Sequence, residues 1–476
     1  MKKFVYLILM MAVCSLPILG QNNMNIEGNW LGAIEVNGTQ LRLGLIVSKN
    51  ADGSLGGKLD SIDQGAHNLP IDTITLQDRT VRFEAKNLHL SYEGTINEKG
   101  DEINGQLTQG SPSPFTFKRV AELPKATPRE VPKRPQTPSK PYPYLEEEVS
   151  YINKIDGNKL AGTLTLPSAK GKFPAVILIT GSGSQDRNET ILGHQPFLVL
   201  ADYLTRRGIA VLRVDDRGIG GSELGNRSAT SKNYAGDVLM GVEYLKTRKE
   251  INPKKIGLIG HSEGGMIAPM VAAESKDVAF IILLAGPGQT GEEIIYKQNE
   301  LSVKISKTNP IIAAQTMTAV KNMLAILKSD AGNQLALKQI NEAFTKQLSE
   351  MSEDDRKGFS QIEKSMKSQI PSMMSPWYRY FLAYNPRPTL QKVKIPVLAL
   401  NGENDTQVPY KENLEKINAA LKSGGNKDFT VKSFPKLNHL FQTSQTGLVE
   451  EYGTIEETTS PIVLETISNW ILKHTK

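Results

Sequence analysis

The spacing of apolar positions divides the chain into two parts. Over residues 24–120, short runs alternate apolar and polar positions and are separated by turn pairs such as Asn37-Gly38 and Asp52-Gly53. A period of two is typical of strands with one buried face, and these turn pairs favour hairpins. About eight such runs at regular spacing predict an all-β domain, either a barrel-like up-and-down sheet or a sandwich.

The period changes from residue 146 onward. A hairpin around Asp156-Gly157 precedes apolar runs that lack polar alternation and that alternate with helical patterns. Strands of this kind are buried on both faces, so they predict a mostly parallel, doubly wound sheet and an α/β domain over 146–476. The predicted strands cover 175–179, 210–214, 256–259, 279–284, 397–400 and 429–434.

One stretch interrupts this alternation. Residues 286–395 contain helical patterns and no convincing strand, which predicts a helical cap inserted over the carboxyl edge of the sheet. Six of the 13 methionines fall in this stretch, with an aromatic run at 377–381. Such residues usually form a core; the alternative is a flexible apolar surface that faces a substrate cleft.

A proline-rich segment separates the two domains. Seven prolines lie between Pro124 and Pro143, mixed with Lys, Arg, Thr and Ser. Such a segment is extended and semi-rigid, so residues 121–145 are predicted to be a linker.

The first 20 residues have the pattern of a cleaved secretory signal. Lys2 and Lys3 precede an apolar run over 4–13, which is too short to span a membrane, and cleavage is expected after Gly20. The protein is therefore expected to be exported, to the periplasm or beyond, without stable membrane insertion. Cys14 raises the alternative of a lipoprotein, but Val13 does not suit that processing.

Composition narrows the chemistry. Cys14 is the only cysteine, so a mature chain without the signal would have no disulfide, no thiol nucleophile and no cysteine metal site. The formal net charge of +6 falls to +4 without Lys2 and Lys3, and the basic residues form no stripe. We therefore expect a solvated surface and no nucleic-acid partner.

Residues 255–270 carry the most informative motif. The apolar run 256–259 ends in Gly260-His261-Ser262-Glu263-Gly264, and a helical pattern of small residues follows. A strand, a sharp turn with serine at its apex and a helix together predict a nucleophile elbow at Ser262. An ordinary strand-to-helix turn is the alternative.

A serine hydroxyl needs a base, usually a histidine, that is oriented by an acid. Elimination among the six histidines leaves His439, in the loop after the last strand. His67 and His89 lie in the β domain, His194 precedes the serine, and His474 lies near the end of the terminal helix. His261 lies in the elbow, and its side chain is expected to point away from the partner of the hydroxyl.

The orienting acid is expected after the penultimate strand. The run 397–400 stops at Asn401-Gly402, and Asp405 lies in the following turn, with Glu403 as the alternative. A developing oxyanion needs two donors, which we assign to the backbone N–H groups of Glu263 and Ser182.

Two loops that precede the elbow in the sequence can also be explained by purely structural roles. The loop over 180–187 contains Ser182 and is otherwise a flexible Gly/Ser turn, and it lacks the lysine of a phosphate loop. Residues Asp215, Asp216 and Arg217 are interpreted as an ion-paired turn that shapes the rim of the site.

Taken together, these motifs resemble those of the α/β-hydrolases, and specifically the secreted bacterial esterases near the serine aminopeptidase type. The resemblance covers 146–476 and implies hydrolysis of carboxylic esters with small to medium acyl groups, without a metal or cofactor. Thr180 departs from the family pattern, because many members have the histidine of a His-Gly pair at this position.

The sequence therefore predicts an exported serine esterase that acts on a small-molecule ester through Ser262, His439 and Asp405. Two alternatives stay open. A peptidase acting on short peptides would need a site for a charged terminus, and no acidic cluster is apparent in the sequence. A binding protein with a vestigial hydrolase domain would place the function in the β domain.

Overall fold

The computed structural model describes residues 24–36, 39–64, 66–88, 90–109, 111–124 and 133–476. The predicted signal segment, Cys14, the Asn37-Gly38 turn and part of the linker lie outside the described residues. The chain divides into two compact units between residues 131 and 132.

The first unit is one antiparallel sheet of nine strands, ordered β4-β3-β2-β1-β9-β8-β7-β6-β5. The sheet curls so that β3 approaches β5, which makes an up-and-down half-barrel. The barrel-like prediction is confirmed and the sandwich alternative is wrong. The strands are β1 (Gly28–Val36), β2 (Thr39–Lys49), β3 (Leu55–Ser61), β4 (Ala66–Pro70), β5 (Thr73–Gln77), β6 (Thr80–Ala85), β7 (Leu90–Ile96), β8 (Glu102–Gln109) and β9 (Ser111–Val120).

Aromatic side chains fill the concave side of the half-barrel. Trp30, Phe115 and Phe117 are almost fully buried, and the two phenylalanine rings lie 4.7 Å apart in an edge-to-face arrangement. The indole of Trp30 donates to the carbonyl of Ile26 at 2.9 Å, and the hydroxyl of Tyr92 donates to a backbone carbonyl. The polar groups of these large side chains are therefore satisfied inside the core.

The second unit is built on a mixed sheet of eight strands, ordered β10-β11-β13-β12-β14-β15-β16-β17. The hairpin β10-β11 and the pair β11-β13 are antiparallel, and all other pairs are parallel. The strands are β10 (Leu145–Ile152), β11 (Lys159–Leu166), β12 (Phe173–Ile179), β13 (Ala210–Val214), β14 (Ile251–His261), β15 (Phe280–Leu284), β16 (Val397–Gly402) and β17 (Phe429–Phe434).

Helices cover both faces of this sheet. One face packs against α1 and α12, and the other packs against α2, α3, α9 and α10. This explains why the parallel strands have no polar alternation. The helices are α1 (Pro196–Thr205), α2 (Ser231–Lys246), α3 (Glu263–Glu274), α4 (Gly291–Ile305), α5 (Pro310–Lys328), α6 (Asn333–Ser349), α7 (Glu353–Met373), α8 (Pro376–Ala383), α9 (Pro386–Lys392), α10 (Tyr410–Ser423), α11 (Val449–Tyr452) and α12 (Pro461–His474).

The insertion between β15 and β16 is helical, as predicted, and α4 to α8 enclose a core of their own. Helix α5 is long and apolar enough to cross a membrane by length and composition, with a mean hydropathy of 1.2. Its buried positions, among them Val320, Leu324 and Leu327, face the cap core. Packing within the cap therefore accounts for its apolar stripe.

The carboxyl half of the predicted linker belongs to the second unit. The guanidinium of Arg134 donates to the backbone carbonyls of Leu192, Gly453 and Ile455 at 2.8–2.9 Å. The side chain of Gln136 accepts from the N–H groups of Thr458 and Thr459. This segment is therefore held by directed hydrogen bonds.

Candidate active site

Ser262 lies at a sharp turn between β14 and α3, at the carboxyl edge of the sheet. Its backbone has φ +51° and ψ −116°, a conformation that is unfavourable for a residue with a Cβ atom. A Cβ at Gly260 would lie 2.0 Å from the carbonyl oxygen of Gly264, so only glycine fits at this position. The packing of strand against helix therefore maintains the strained elbow.

Asp405 and His439 are brought together by the loops after β16 and β17. The Nδ1 atom of His439 lies 2.8 Å from Oδ2 of Asp405, and both side chains are buried. The other oxygen of Asp405 accepts from the N–H groups of Gln407 and Val408, each at 2.8 Å. These contacts orient the carboxylate, which accepts the Nδ1–H proton and leaves Nε2 of His439 as the basic nitrogen. Glu403, the alternative acid, instead accepts from the Ser433 hydroxyl at 2.8 Å.

His439 also lies next to the elbow. The rings of His439 and His261 are 4.8 Å apart, and Nε2 of His261 lies 3.0 Å from the carbonyl oxygen of His439. The expectation that His261 points away from this region is therefore wrong. Within the described residues, no hydrogen bond joins the hydroxyl of Ser262 to the ring of His439.

Two backbone donors flank the serine. Among the described residues, neither the N–H of Ser182 nor that of Glu263 donates to a protein acceptor. The N–H of Gly181 is engaged by the carboxylate of Glu189 at 2.7 Å, and a Cβ at Gly181 would lie 3.2 Å from Cβ of Ser262. The loop after β12 therefore passes beside Ser262 and leaves the Ser182 donor available.

The loop that carries Ser182 is held by Asp215 and Asp216. Asp216 accepts from the Thr180 hydroxyl at 2.7 Å and from the Gln185 N–H at 2.9 Å, so it ties the two ends of the loop together. Asp215 forms a bidentate pair with Arg187, at 2.7 and 3.0 Å. The predicted ion-paired turn is thus partly wrong, because Asp216 has no cationic partner among its hydrogen bonds in the described part of the chain.

Arg217, the third residue of that turn, pairs elsewhere. Its guanidinium contacts Asp237 at 2.6 Å and Asp156 at 2.7 Å. These contacts tie the turn to α2 and to the β10-β11 hairpin.

A cavity of ≈ 80 Å³ opens beside the elbow, under the loop of Ser182. Gly181, Asp216 and Glu263 are among its lining residues, as are the apolar side chains of Ile177 and Ile267. No residue of the cap lines it. Ser262, Asp405 and His439 do not line the cavity, and Glu263, the residue after Ser262, connects it with the elbow. The lining of the cavity combines apolar and carboxyl side chains, as in many small-molecule sites.

Four carboxyl groups line this cavity: the pKa is raised for Asp216, Asp237 and Glu263 and lowered for Asp215. Burial raises the pKa of Asp216 to about 7, against the hydrogen bonds from Thr180 and Gln185. Burial also raises the pKa of Glu263, against hydrogen bonds from Ser231 and Trp377. The sequence did not show that Asp216 and Glu263 line the same cavity, because they follow different strands.

The cap contacts the site from α8 and from α4, where Gln298 donates to the carbonyl of Gln407 at 2.7 Å. The indole N–H of Trp377, in α8, donates to Oε1 of Glu263 at 2.8 Å, and the hydroxyl of Ser231 donates to the same oxygen at 2.6 Å. Trp377 stacks on Phe381, which packs against Met266 of α3. Among the described residues, no group of three or more His, Cys, Asp or Glu side chains could hold a metal ion.

The strand order, the elbow at the carboxyl edge and the helical insertion define the class of this protein as an α/β-hydrolase. Residues 195–444 match the family model described as serine aminopeptidase, S33, which spans more than half of the chain. The chain therefore belongs to this family.

Curated relatives match over shorter segments. Esterase EstD of Thermotoga maritima is 34% identical over 155 residues, which are 33% of this chain and 37% of the relative. The human mitochondrial palmitoyl-protein thioesterase ABHD10 is 27% identical over 190 residues, which are 40% of this chain and 53% of the relative. The chain thus spans about half of these relatives or less.

Solved structures resemble the chain more distantly. A Pyrococcus furiosus esterase is 16% identical, covers 72% of this chain and 96% of its own, and has a TM-score of 0.43. The α/β-hydrolase GrgF from Penicillium is 19% identical, covers 69% of this chain and 99% of its own, and has the same TM-score.

Asp216→Asn tests the protonation of the cavity. A pKa raised from 3.8 to about 7 means that the stabilisation from protonated Asp216 is complete below about pH 4 and is lost as the pH rises through 7. Asparagine keeps an oxygen for Gln185 and an amide for Thr180, and it has no proton to lose. We expect the free energy of unfolding of the variant, relative to the parent, to increase between pH 5 and pH 8.

Urea denaturation at the two pH values measures this difference. Asp354→Asn, at an exposed position in the first turn of α7, is the control and should behave alike at both. An Asp216→Asn difference that is the same at pH 5 and pH 8 would contradict the raised pKa.

Proposed function

We propose that this protein is an exported serine hydrolase that cleaves carboxylic esters of small to medium acyl groups through an acyl-enzyme. The observation that carries the proposal is the Asp405–His439 hydrogen bond of 2.8 Å at the sheet edge that presents the strained Ser262. Membership of a hydrolase family and the similarity to an esterase support it.

The proposed reaction has two halves. In the first, Nε2 of His439 accepts the proton of the Ser262 hydroxyl as its oxygen attacks the ester carbonyl, and the N–H groups of Ser182 and Glu263 stabilise the oxyanion. His439 then protonates the leaving alcohol, which departs and leaves the acyl-enzyme. In the second half, water loses a proton to His439 and attacks the acyl carbon. His439 then returns this proton to Oγ of Ser262 as the bond between the acyl carbon and Oγ breaks, which releases the acid and restores the free enzyme.

The contact between Ser262 and His439 is expected to form with substrate. Catalytic hydrogen bonds are often long or misaligned in free enzymes and tighten in the complex. Asp405 keeps the His439 imidazole in the required tautomer and stabilises the imidazolium that forms at each step.

Ser262→Ala and Asp405→Asn test the triad. We expect the first to reduce kcat by about 10⁴- to 10⁶-fold, because the nucleophile is lost. The second should cost about 10⁴-fold, because an amide favours the wrong tautomer of His439. Both are measured with p-nitrophenyl acetate, and Ser228→Ala at an exposed position is the control.

Labelling with a fluorophosphonate probe complements the kinetics. The parent should be labelled and Ser262→Ala should not. A parent that is neither labelled nor active would favour the alternative of a binding protein.

A second candidate activity is peptide hydrolysis. The family description names an aminopeptidase, and Asp216 and Glu263 supply the carboxyl groups that the sequence alone did not place together. Burial raises the pKa of both groups, however, which reduces their negative charge and so their attraction for an ammonium group. An uncharged ester suits this cavity better.

A substrate panel separates these activities and tests acyl length. A water needs about 10–15 Å³ of such space, so the cavity of ≈ 80 Å³ has room for roughly six waters, or a short acyl chain. We expect p-nitrophenyl acetate and butyrate to react faster than the decanoate and far faster than aminoacyl p-nitroanilides. Rapid anilide cleavage with inert esters would overturn the ester proposal. Rates that rise up to the decanoate would place the acyl chain outside this cavity.

Export rests on the apolar run over 4–13 that follows Lys2 and Lys3. We expect the processed chain to begin at Gln21 and to leave the cytoplasm. Fractionation of an expressing bacterium, with sequencing of the amino terminus, measures both. An intact amino terminus in the cytoplasmic fraction would contradict export, and a lipid-modified Cys14 would favour the lipoprotein.

A further inference from the structure

His261 and Glu189 form a buried pair that the proposed reaction does not use. Nδ1 of His261 lies 2.9 Å from Oε1 of Glu189, and Nε2 lies 3.0 Å from the backbone carbonyl oxygen of His439. The two side chains are 9% and 5% exposed, so neither contact is open to competition from bulk water. The pair therefore connects the residue before Ser262 with the residue proposed as the base.

The two partners define the charge of His261. A backbone carbonyl and an ionised carboxylate can both accept hydrogen bonds, and neither can donate one. A neutral imidazole has one N–H and would leave one of these contacts without a proton, whereas an imidazolium supplies both. Burial lowers the pKa of His261, but the charge and hydrogen bond of Glu189, the carbonyl of His439 and the charge of Asp405 together raise it.

Glu189 acts on a second part of the site. The same Oε1 atom accepts the N–H of Gly181 at 2.7 Å, one residue before the proposed oxyanion donor Ser182. Glu189 itself has φ +53°, an uncommon conformation for a residue other than glycine, and its N–H donates to the carbonyl of Asp186. The loop is thus held in a strained shape that directs this carboxylate inward.

The surroundings strengthen the pair. Glu189 and His261 border a cavity of ≈ 30 Å³ whose other walls include Phe197, Leu440 and Phe441. An apolar environment with little water increases the attraction between opposite charges. The nearby titratable groups that face His261 are Glu189, His439 and Asp405, from the loops after β12, β17 and β16.

We propose that Glu189 and His261 are positioning residues, a permanent ion pair that aligns the Gly181–Ser182 peptide and the backbone of His439 around Ser262. This inference rests on the proposed function. Because Nε2 of His261 is occupied by the carbonyl of His439, His261 cannot accept the proton of the serine. It acts only through the groups that it holds.

Glu189→Gln tests the pair. Glutamine keeps an oxygen for Gly181 and His261 but removes the charge. Small misplacements of catalytic groups can cost about 10²-fold, so we expect kcat on p-nitrophenyl acetate to fall by that order, with KM changed less than threefold. The matched control is Glu250→Gln, a buried carboxylate at the other end of β14 that pairs with Arg248 at 3.1 Å. It should retain the parent kcat at a temperature where both variants are folded.

A spectroscopic readout separates positioning from a merely structural role. The ring signals of His261, assigned by their loss in His261→Gln, should be those of an imidazolium above pH 6.5, where an ordinary histidine deprotonates. In Glu189→Gln, the ring of His261 should lose its proton at a lower pH than in the parent. The free energy of unfolding gives a second test. The contribution of His261 to it is complete below about pH 6.5 and is lost as the pH rises through its raised pKa. Glu189→Gln should not show this loss of stability with rising pH.

The outcomes are distinguishable. A neutral His261 in the parent, or a kcat of Glu189→Gln within twofold of the parent, would overturn the inference while Ser262→Ala remained inactive. An active Ser262→Ala would instead overturn the proposed function. If Glu189→Gln does not fold, the double variant Glu189→Gln/His261→Gln leaves neither charge unpaired and supports the same comparison of kcat.

Discussion

The strained backbone of Ser262 is the constraint on which the rest of the site depends. The turn can hold φ +51° only because β14 and α3 approach so closely that Gly260 meets the carbonyl of Gly264. Buried parallel strands on both sides anchor this approach, and the loops that follow those strands end at the same edge. Every other group of the site, from Ser182 to His439, is placed relative to that turn.

Much of this arrangement follows from local patterns. Apolar runs without alternation predict the parallel sheet, and residues that follow such strands meet at its carboxyl edge. The location of Ser262, Asp405 and His439 at this edge can therefore be predicted from the sequence. The cap is also visible, because a long helical stretch interrupts the alternation. The two short helices before β16, α8 and α9, and the curl of the nine-stranded sheet depend on tertiary contacts and leave no periodic signal.

The groups that the sequence did not reveal act over long separations in the chain. Glu189 contacts a histidine 72 positions away, and Trp377 contacts a carboxyl group 114 positions away. No spacing rule connects such residues, because their pairing depends on how loops from different strands fold back. The positive φ of Glu189 cannot be predicted from the sequence either, because that conformation is expected mainly at glycine or asparagine. The orientation of His261 is not predictable from the sequence for the same reason, because residues from three other loops form its environment.

The hydrogen bonds of Arg134 and Gln136 show that the second unit begins before its first strand, β10. The sequence of the proline-rich segment is typical of a spacer, yet its second half satisfies backbone groups of the stretch 453–459. In that stretch Thr458 contacts His194, and Glu457 accepts from Gln442 of the His439 loop. A shortened protein that begins at the first strand of the hydrolase sheet would lose this support and expose buried carbonyls. A recombination event that replaces the β domain would therefore need a junction upstream of residue 133, so that the second unit keeps the hydrogen bonds of Arg134 and Gln136.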